Sequence, residues 1–128
     1  MLKNFIQSEI YKPFEWGKTD CCSTVDRWVK LKTATSPLEF YGRQVLNEFE
    51  GKKWLTEKGG IIKACERVIK NAGFKVTKTP EVGDIGLIVV YENQVCMAIK
   101  CENFWFSRDE NGIIGAPLNC RVLKSWKI

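Results

Sequence analysis

The sequence PFEWGKTDCCSTVDRWV, residues 13–29, passes from a tight turn directly into an amphipathic helix. Thr19 and Asp20 both belong to the residue types that cap helices, because their side-chain oxygens accept backbone N–H groups. The positions that follow recur at the spacing of one helix face: Cys21, Val25, Trp28 and Val29. The stretch therefore predicts a buried helix that begins immediately after Asp20.

Further helices are predicted on both sides of this one. Residues 2–10 repeat apolar side chains at helical spacing, and Pro13 closes that segment. Residues 36–39, SPLE, have the pattern of a capping box, and an apolar stripe follows at Val45, Leu46 and Phe49. Residues 59–72 predict another helix, for which Gly73 supplies a left-handed stop.

The second half of the chain changes to short β-prone runs. These runs cover residues 85–91, 95–99, 104–107, 113–116 and 121–126, with turn residues between most of them. The spacing predicts a meandering antiparallel sheet. Helices first and strands afterwards are typical of an α+β fold, so we expect N-terminal helices packed on a C-terminal antiparallel sheet or small barrel.

Composition narrows the class of protein. A chain of 128 residues with 45% hydrophobic and 27% charged residues predicts a single domain over residues 1–128. The sequence has no run apolar enough to span a membrane and no continuous apolar core of a secretory signal. The net charge of +5 is spread over scattered lysines and arginines, which does not predict a specific nucleic-acid site.

Six cysteines leave fifteen disulfide pairings open, and a domain of this length does not need cross-links. Free thiols are therefore expected. Zinc binding is the alternative, but Cys21-Cys22 and the pair Cys96 and Cys101 lack the usual C-x-x-C spacing. We predict no metal and no cofactor.

Several motifs together resemble a known superfamily. The run PFEWGKTDCC, the Gly59-Gly60 pair, the stretch EVGDIGLI at residues 81–88, and the closing SWKI are similar in order and spacing to small phage-encoded proteins of the NlpC superfamily. The resemblance covers nearly the whole chain and is sharpest in W-G-x-x-D-C and G-D-I. It implies an NlpC-like fold, a circularly permuted relative of papain-like cysteine peptidases, in which Cys21 is the candidate nucleophile against cell-wall peptides.

The residues around Cys21 suit this chemistry. A cysteine in the first turn of a helix feels the partial positive charge of unpaired N–H groups, which favours the thiolate. Asp20 caps the helix and positions the thiol, and Gly17 allows the tight turn before it. Trp16 and Gly17 are candidates for a substrate groove. The alternative is that Asp20 is only a cap and Trp16 only a core aromatic.

The chain contains no histidine, so the usual base of a cysteine peptidase is missing. By the resemblance, the base position falls at Val95, with Gln94 one residue away, and the third polar residue near Ser107. Neither valine nor glutamine can act as a general base. The charged residues that could substitute lie near this strand: Glu92, Lys100 and Glu102.

The expected function is therefore that of a structural protein of a phage tail tip or baseplate, without ordinary catalytic turnover. The resemblance implies other phage tail proteins as partners, cell-wall peptide as a ligand, and a virion location after synthesis in the host cytoplasm. The alternative is an active cysteine peptidase or amidase that cleaves cell-wall peptides during phage entry.

Overall fold

A computed structural model describes residues 1–42, 49, 53 and 59–128 of the chain. Within this part, four helices precede five β-strands. The helices are α1 (Leu2–Glu9), α2 (Cys21–Thr33), α3 (Pro37–Tyr41) and α4 (Gly60–Asn71). The strands are β1 (Ile85–Val89), β2 (Val95–Lys100), β3 (Trp105–Asp109), β4 (Gly112–Ala116) and β5 (Val122–Trp126), with a 3-10 turn at Tyr91–Asn93. The predicted α+β order is confirmed.

Helix α2 begins where the sequence predicts. The Asp20 carboxylate accepts the backbone N–H of Ser23 at 2.9 Å, which satisfies one of the donors left unpaired in the first turn. The predicted apolar face is buried at Val25, Trp28 and Val29. The Trp28 indole N–H also donates to the backbone oxygen of Gly83 at 2.8 Å, and this bond ties the helix to the start of the sheet.

Helix α3 is capped by Ser36, whose hydroxyl accepts the backbone N–H of Glu39 at 3.1 Å. This bond is one half of the predicted capping box. The expected apolar stripe at Val45 and Leu46 lies outside the described residues, and Phe49 is exposed.

Helix α4 presents a strongly amphipathic face to the core. Its buried residues are Ala64, Cys65, Val68 and Ile69. The helix ends at Asn71, and Gly73 has a φ of 89°, a left-handed conformation that glycine adopts without strain. The predicted stop at Gly73 is confirmed.

The five strands form one antiparallel sheet in the order β4-β3-β2-β1-β5. The ladder between β1 and β2 is continuous, from Ile85 opposite Ile99 to Val89 opposite Val95. The ladder between β2 and β3 is short, because it pairs residues only at Ile99–Lys100 and Trp105–Phe106. The sheet therefore opens between the first half of β2 and the second half of β3.

The predicted meander is wrong for the last strand. Strands β1 to β4 follow one another as hairpins, but β5 crosses back and pairs with β1, from Ile85 opposite Trp126 to Ile88 opposite Val122. Strand β1 is buried along most of its length, so its backbone needs a partner on each edge. Strand β5 supplies the second partner, which places β1 second from one edge of the sheet.

Buried side chains form two clusters on either side of the sheet. The inner cluster joins the helices to the sheet and includes Val29, Cys65, Leu87, Met97 and Phe106. The outer cluster consists of Ile88, Cys96, Ala98, Trp105, Ile114 and Ala116. The alternation of β2, which sends Met97 to one cluster and Cys96 to the other, follows from the two-residue period of a strand.

A buried ion network joins α1 to the rest of the domain. Glu9 is 1% exposed, and its carboxylate binds Arg27 of α2 at 2.7 Å and Arg108 of β3 at 3.2 Å. The Lys12 ammonium lies 3.2 Å from the same carboxylate. Burial of these charges is tolerated because each carboxylate oxygen has a charged donor. None of the described helices has the length and apolar character needed to cross a membrane.

Candidate functional site

The turn before α2 is held by the Asp20 carboxylate, which is 4% exposed. One oxygen accepts the Ser23 backbone N–H, and the other accepts the Gly17 N–H at 2.7 Å and the Ser23 hydroxyl at 2.8 Å. Gly17 has a φ of 83°, which favours glycine at this position. Burial raises the pKa of Asp20, and the hydrogen bonds from Ser23 and Gly17 oppose that rise. These bonds fix the residue that follows, Cys21.

The Cys21 side chain lies at the seam between the two buried clusters. It packs against both the inner and the outer cluster, and it is half-buried, so part of its surface remains accessible. Cys22 packs against the inner cluster. All six cysteines of the chain are free thiols in the structure.

Where β2 and β3 are not paired, backbone groups of β2 face the boundary between the two clusters. The Lys100 N–H donates to Asp84 on the β1 side at 2.8 Å, and strand alternation therefore turns the Met97 N–H and C=O toward β3. The ladder does not reach Met97. Its carbonyl accepts the Ser107 hydroxyl at 2.7 Å, and its N–H lies close enough to the Cys21 thiol to lower the pKa of that thiol.

These contacts favour the ionised form of Cys21. Hydrogen bonds from the Cys22 thiol, from the Cys96 thiol and from the backbone N–H groups of Met97 and Cys22 hold the pKa of Cys21 well below its ordinary value, against the opposing effect of burial. The position at the start of α2 acts in the same direction. The groups that act most strongly on this thiol are other thiols and backbone donors, and no carboxylate or amine is among them.

The pKa values of the neighbouring thiols shift in the opposite direction. The pKa of Cys96 is raised, first by the hydrogen bond with Cys21 and then by burial. The pKa of Cys22 is raised well above its ordinary value by Cys21, by Cys65 and by burial. These interactions therefore favour ionisation of Cys21 over ionisation of the thiols around it.

The two residues at the predicted base position, Val95 and Gln94, differ in their exposure to solvent. Val95 is half-buried and packs against the inner cluster, while Gln94 is exposed after the 3-10 turn. The side chain of β2 that meets Cys21 is that of Cys96, one residue beyond Val95. Sequence reasoning missed Cys96; the available signal was a protic side chain inside the apolar run VCMAI.

Ser107, the predicted third polar residue, is buried and lies beside this site. Its hydroxyl bonds to the Met97 carbonyl, and it also interacts with the Cys96 thiol. Cys96 therefore lies between Cys21 and Ser107 in this site. Of the charged substitutes, Lys100 donates to the backbone oxygen of Pro80 at 2.8 Å, at the far end of β2.

The other two candidates for a substitute base are exposed. Glu92 lies in the 3-10 turn with a φ of 55°, and Glu102 lies in the turn between β2 and β3. Neither is among the groups that act most strongly on the thiol of Cys21.

The two residues predicted to line a substrate groove do not line the same surface. Trp16 packs against the inner cluster and stacks edge-on with Phe14, with ring centroids 5.0 Å apart. Gly17 lines an open cleft of about 520 Å³ beside the start of α2, whereas Trp16 and Cys21 are not among its lining residues. The ionisable side chains that line the cleft are balanced in charge: Lys12, Lys18, Arg27, Glu15, Asp26 and Glu39.

Asp84, in the G-D-I motif, has a structural role that the sequence did not reveal. It is 1% exposed, and its carboxylate accepts the backbone N–H of Glu81 at 2.8 Å and that of Ile128 at 3.0 Å. The motif therefore fastens the end of the chain to the start of β1. In the described part of the chain, no group of three or more acidic or cysteine side chains is arranged to hold a metal ion.

The fold and the site define an α+β domain with a half-buried cysteine at the amino end of a buried helix, close to a second cysteine on the central strand. The chain belongs to the family described as Domain of unknown function (DUF6950), whose model matches residues 1–128. No curated protein and no solved structure matches the chain.

Proposed function

We propose that this protein is a tail-tip or baseplate component of a phage virion, built on an NlpC-like fold that no longer supports peptidase turnover. The motifs W-G-x-x-D-C and G-D-I, and their order along the chain, support this proposal. Three structural features are compatible with it: Asp20 and Cys21 open a buried helix, the helices precede an antiparallel sheet, and Asp84 of the G-D-I motif binds the closing segment.

The identity of the group opposite Cys21 carries the proposal. In a cysteine hydrolase, a base near neutral pKa holds the thiolate and then protonates the leaving amine. Here Cys96 faces Cys21, and its pKa is raised above the ordinary value of a thiol. A thiol of this kind neither accepts a proton nor releases one readily at neutral pH, so the amine produced by attack on an amide has no positioned acid.

The proposed role places the protein in the virion after synthesis in the host cytoplasm. Its partners are other phage tail proteins, and the charge-balanced cleft beside Gly17 is the surface on which cell-wall peptide would bind without being cleaved. Loss of one member of a catalytic triad lowers the rate by several orders of magnitude. A protein can therefore keep the fold of a peptidase without its activity.

The turnover part of the proposal is tested with purified protein and peptides released from cell wall. We expect the same background release of amine from wild type and from Cys21→Ala. Cys96→His and Val95→His serve as gain-of-function comparisons, because each returns an imidazole to one register of the base position. Hydrolysis by wild type that Cys21→Ala abolishes would contradict the proposal.

The location is tested on particles of the phage that encodes the protein. Peptide mass spectrometry of purified virions is expected to detect the chain at a stoichiometry comparable to that of a tail-tip ring. Detection only in infected-cell lysate, with none in intact virions, would remove the tail assignment while leaving the turnover result unaffected.

An active thiol amidase is the second candidate, and the lowered pKa of Cys21 favours it. Iodoacetamide labelling across pH measures that pKa directly. The Cys120 thiol, also half-buried but with a pKa raised by burial, is the internal comparison. Labelling of Cys21 should persist to lower pH than labelling of Cys120; if both decline together, the amidase candidate loses its basis.

A further inference from the structure

Four of the cysteine thiols interact with one another in the centre of the domain. Cys21 packs against the outer cluster, which contains Cys96, and the two thiols interact directly. On the other side, Cys22 and Cys65 line the same small cavity of about 30 Å³ between α2 and α4, and their thiols also interact. Two candidate pairs therefore exist: one joins α2 to β2, and the other joins α2 to α4.

We propose that Cys21 and Cys96 form a thiol–disulfide exchange pair, in which Cys21 reacts with a low-molecular-weight disulfide and Cys96 then resolves the adduct. The activity is separate from the proposed tail role and from peptide hydrolysis. Access supports this order of reaction, because Cys21 is half-buried at the seam whereas Cys96 is 2% exposed. The proposed order requires that a small disulfide reaches the sulfur of Cys21 before it reaches that of Cys96.

In the first step, the Cys21 thiolate attacks one sulfur of the small disulfide. The sulfur–sulfur bond of that molecule breaks, one half leaves as a thiolate, and the other half remains bound to Cys21 as a mixed disulfide. Reaction by this route requires an exposed thiolate. The Met97 N–H and the start of α2 stabilise the anionic sulfur of Cys21.

In the second step, the Cys96 thiol loses its proton to solvent and its sulfur attacks the sulfur of Cys21. The remaining half of the small molecule leaves as a thiolate, and a Cys21–Cys96 disulfide forms. The two departing thiolates take up the two protons released, so one small disulfide is reduced to two thiols while two protein thiols are oxidised.

The reaction at Cys21 makes ionisation of the Cys96 thiol easier. The interaction with Cys21 is the largest cause of the raised pKa of Cys96, and the negative charge of Cys21 adds to it. Once Cys21 carries the adduct, it is neutral, and that charge no longer opposes ionisation of Cys96. Reaction at Cys21 therefore removes one cause of the raised pKa of Cys96, while burial remains.

Cys22 is a poorer partner for Cys21 than its sequence position suggests. Neighbouring side chains on a helix point in different directions, so a bond between these two thiols would disrupt the first turn of α2. Asp20 caps that turn with hydrogen bonds to Ser23, which the disruption would break. The Cys22 thiol interacts with Cys65 as well as with Cys21, so oxidation of Cys22 has a second possible partner.

The test uses the reduced full-length chain, oxidised glutathione, an acid quench, and peptide mapping by mass spectrometry. Wild type should form the Cys21–Cys96 disulfide. Cys96→Ser should instead accumulate glutathione on Cys21, because the resolving thiol is absent. Cys21→Ser should lose both products and slow the total uptake of glutathione at least tenfold. Cys120→Ser is the matched control, and it should react like wild type.

Three results would overturn the proposal: a principal disulfide other than Cys21–Cys96, equal uptake at Cys21 and Cys120, or no adduct in Cys96→Ser. Circular dichroism of each variant checks that it is folded. If Cys96→Ser does not fold, Cys96→Ala provides the same measurement with an apolar side chain in the outer cluster. A negative result here leaves the hydrolysis and virion experiments as they stand.

Discussion

Replacement of Asp20 by alanine tests whether the cap organises the thiol site. The change removes the acceptor of the Ser23 N–H, a loss that costs about 1 kcal/mol at a helix N-cap. It also leaves the Gly17 N–H without its acceptor at 2.7 Å, which adds about 1 kcal/mol because this residue is half-buried. The total of about 2 kcal/mol corresponds to a fall in Tm of roughly 6–10 °C for a domain of this size.

Calorimetry or thermal circular dichroism of Asp20→Ala and Asp20→Asn separates the two contributions. Asparagine keeps one side-chain oxygen for Ser23 but replaces the oxygen that faces Gly17, so Asp20→Asn should lose about 1 kcal/mol. Both variants remove the carboxylate charge that repels the Cys21 anion, but only Asp20→Ala frays the first turn, which presents its N–H groups to the sulfur. Iodoacetamide labelling of Cys21 should therefore be slower in Asp20→Ala than in Asp20→Asn. A fall in Tm below 2 °C for Asp20→Ala, or equal labelling of the two variants, would refute this account of the cap.

Two further predictions concern stability. Glu9→Ala leaves the buried guanidinium of Arg108 without its carboxylate, so chemical denaturation should show a loss of about 3–5 kcal/mol; the exposed Glu15→Ala control should lose less than about 1 kcal/mol. Gly86→Ala places a Cβ atom 3.0 Å from a backbone oxygen of β5, and it should cost about 1–3 kcal/mol in thermal unfolding. Gly115→Ala, with its nearest atom at 3.7 Å, should change stability by less than about 0.5 kcal/mol; equal losses in the two glycine variants would contradict the packing argument.

The local elements were predictable because their signals are local. The cap at Asp20, the left-handed stop at Gly73 and the change from helical to alternating period each depend on residues a few positions apart. The five predicted strands agree with the observed ones to within about two residues at each end. The α+β order followed directly from these elements.

The pairing of β5 with β1 was not predictable in this way. The pairing arises because the buried strand β1 requires a hydrogen-bonding partner on each edge. The sequence of β5 does not indicate which strand it pairs with. The same holds for the Glu9 network, since residues 9 and 108 come together only when α1 and β3 pack. Glu9 on its own has the sequence character of an exposed helical residue.

Cys96 shows how a small register difference changes a chemical conclusion. Alternation along β2 sends Val95 and Cys96 to opposite faces, so the identity of the side chain opposite Cys21 depends on where the strand meets the helix. The resemblance predicted that β2 is the strand beside Cys21, and the structure places β2 there. The sequence did not identify the residue of that strand that contacts the thiol, because the short β2–β3 ladder that admits Cys21 is a tertiary feature.

Formation of a thiolate and turnover of a substrate depend on different parts of this site. The helix start, the Met97 N–H and the neighbouring thiols stabilise the anion of Cys21 without any acid–base group. Hydrolysis of an amide also requires a proton for the leaving amine, whereas exchange with a disulfide releases a thiolate that is a stable leaving group near neutral pH. Because no acid–base group lies opposite Cys21, the proposed site is expected to support exchange but not hydrolysis. Peptide hydrolysis and glutathione exchange, measured on the same Cys21 and Cys96 variants, therefore distinguish the proposed exchange site from a peptidase and from an inert thiol.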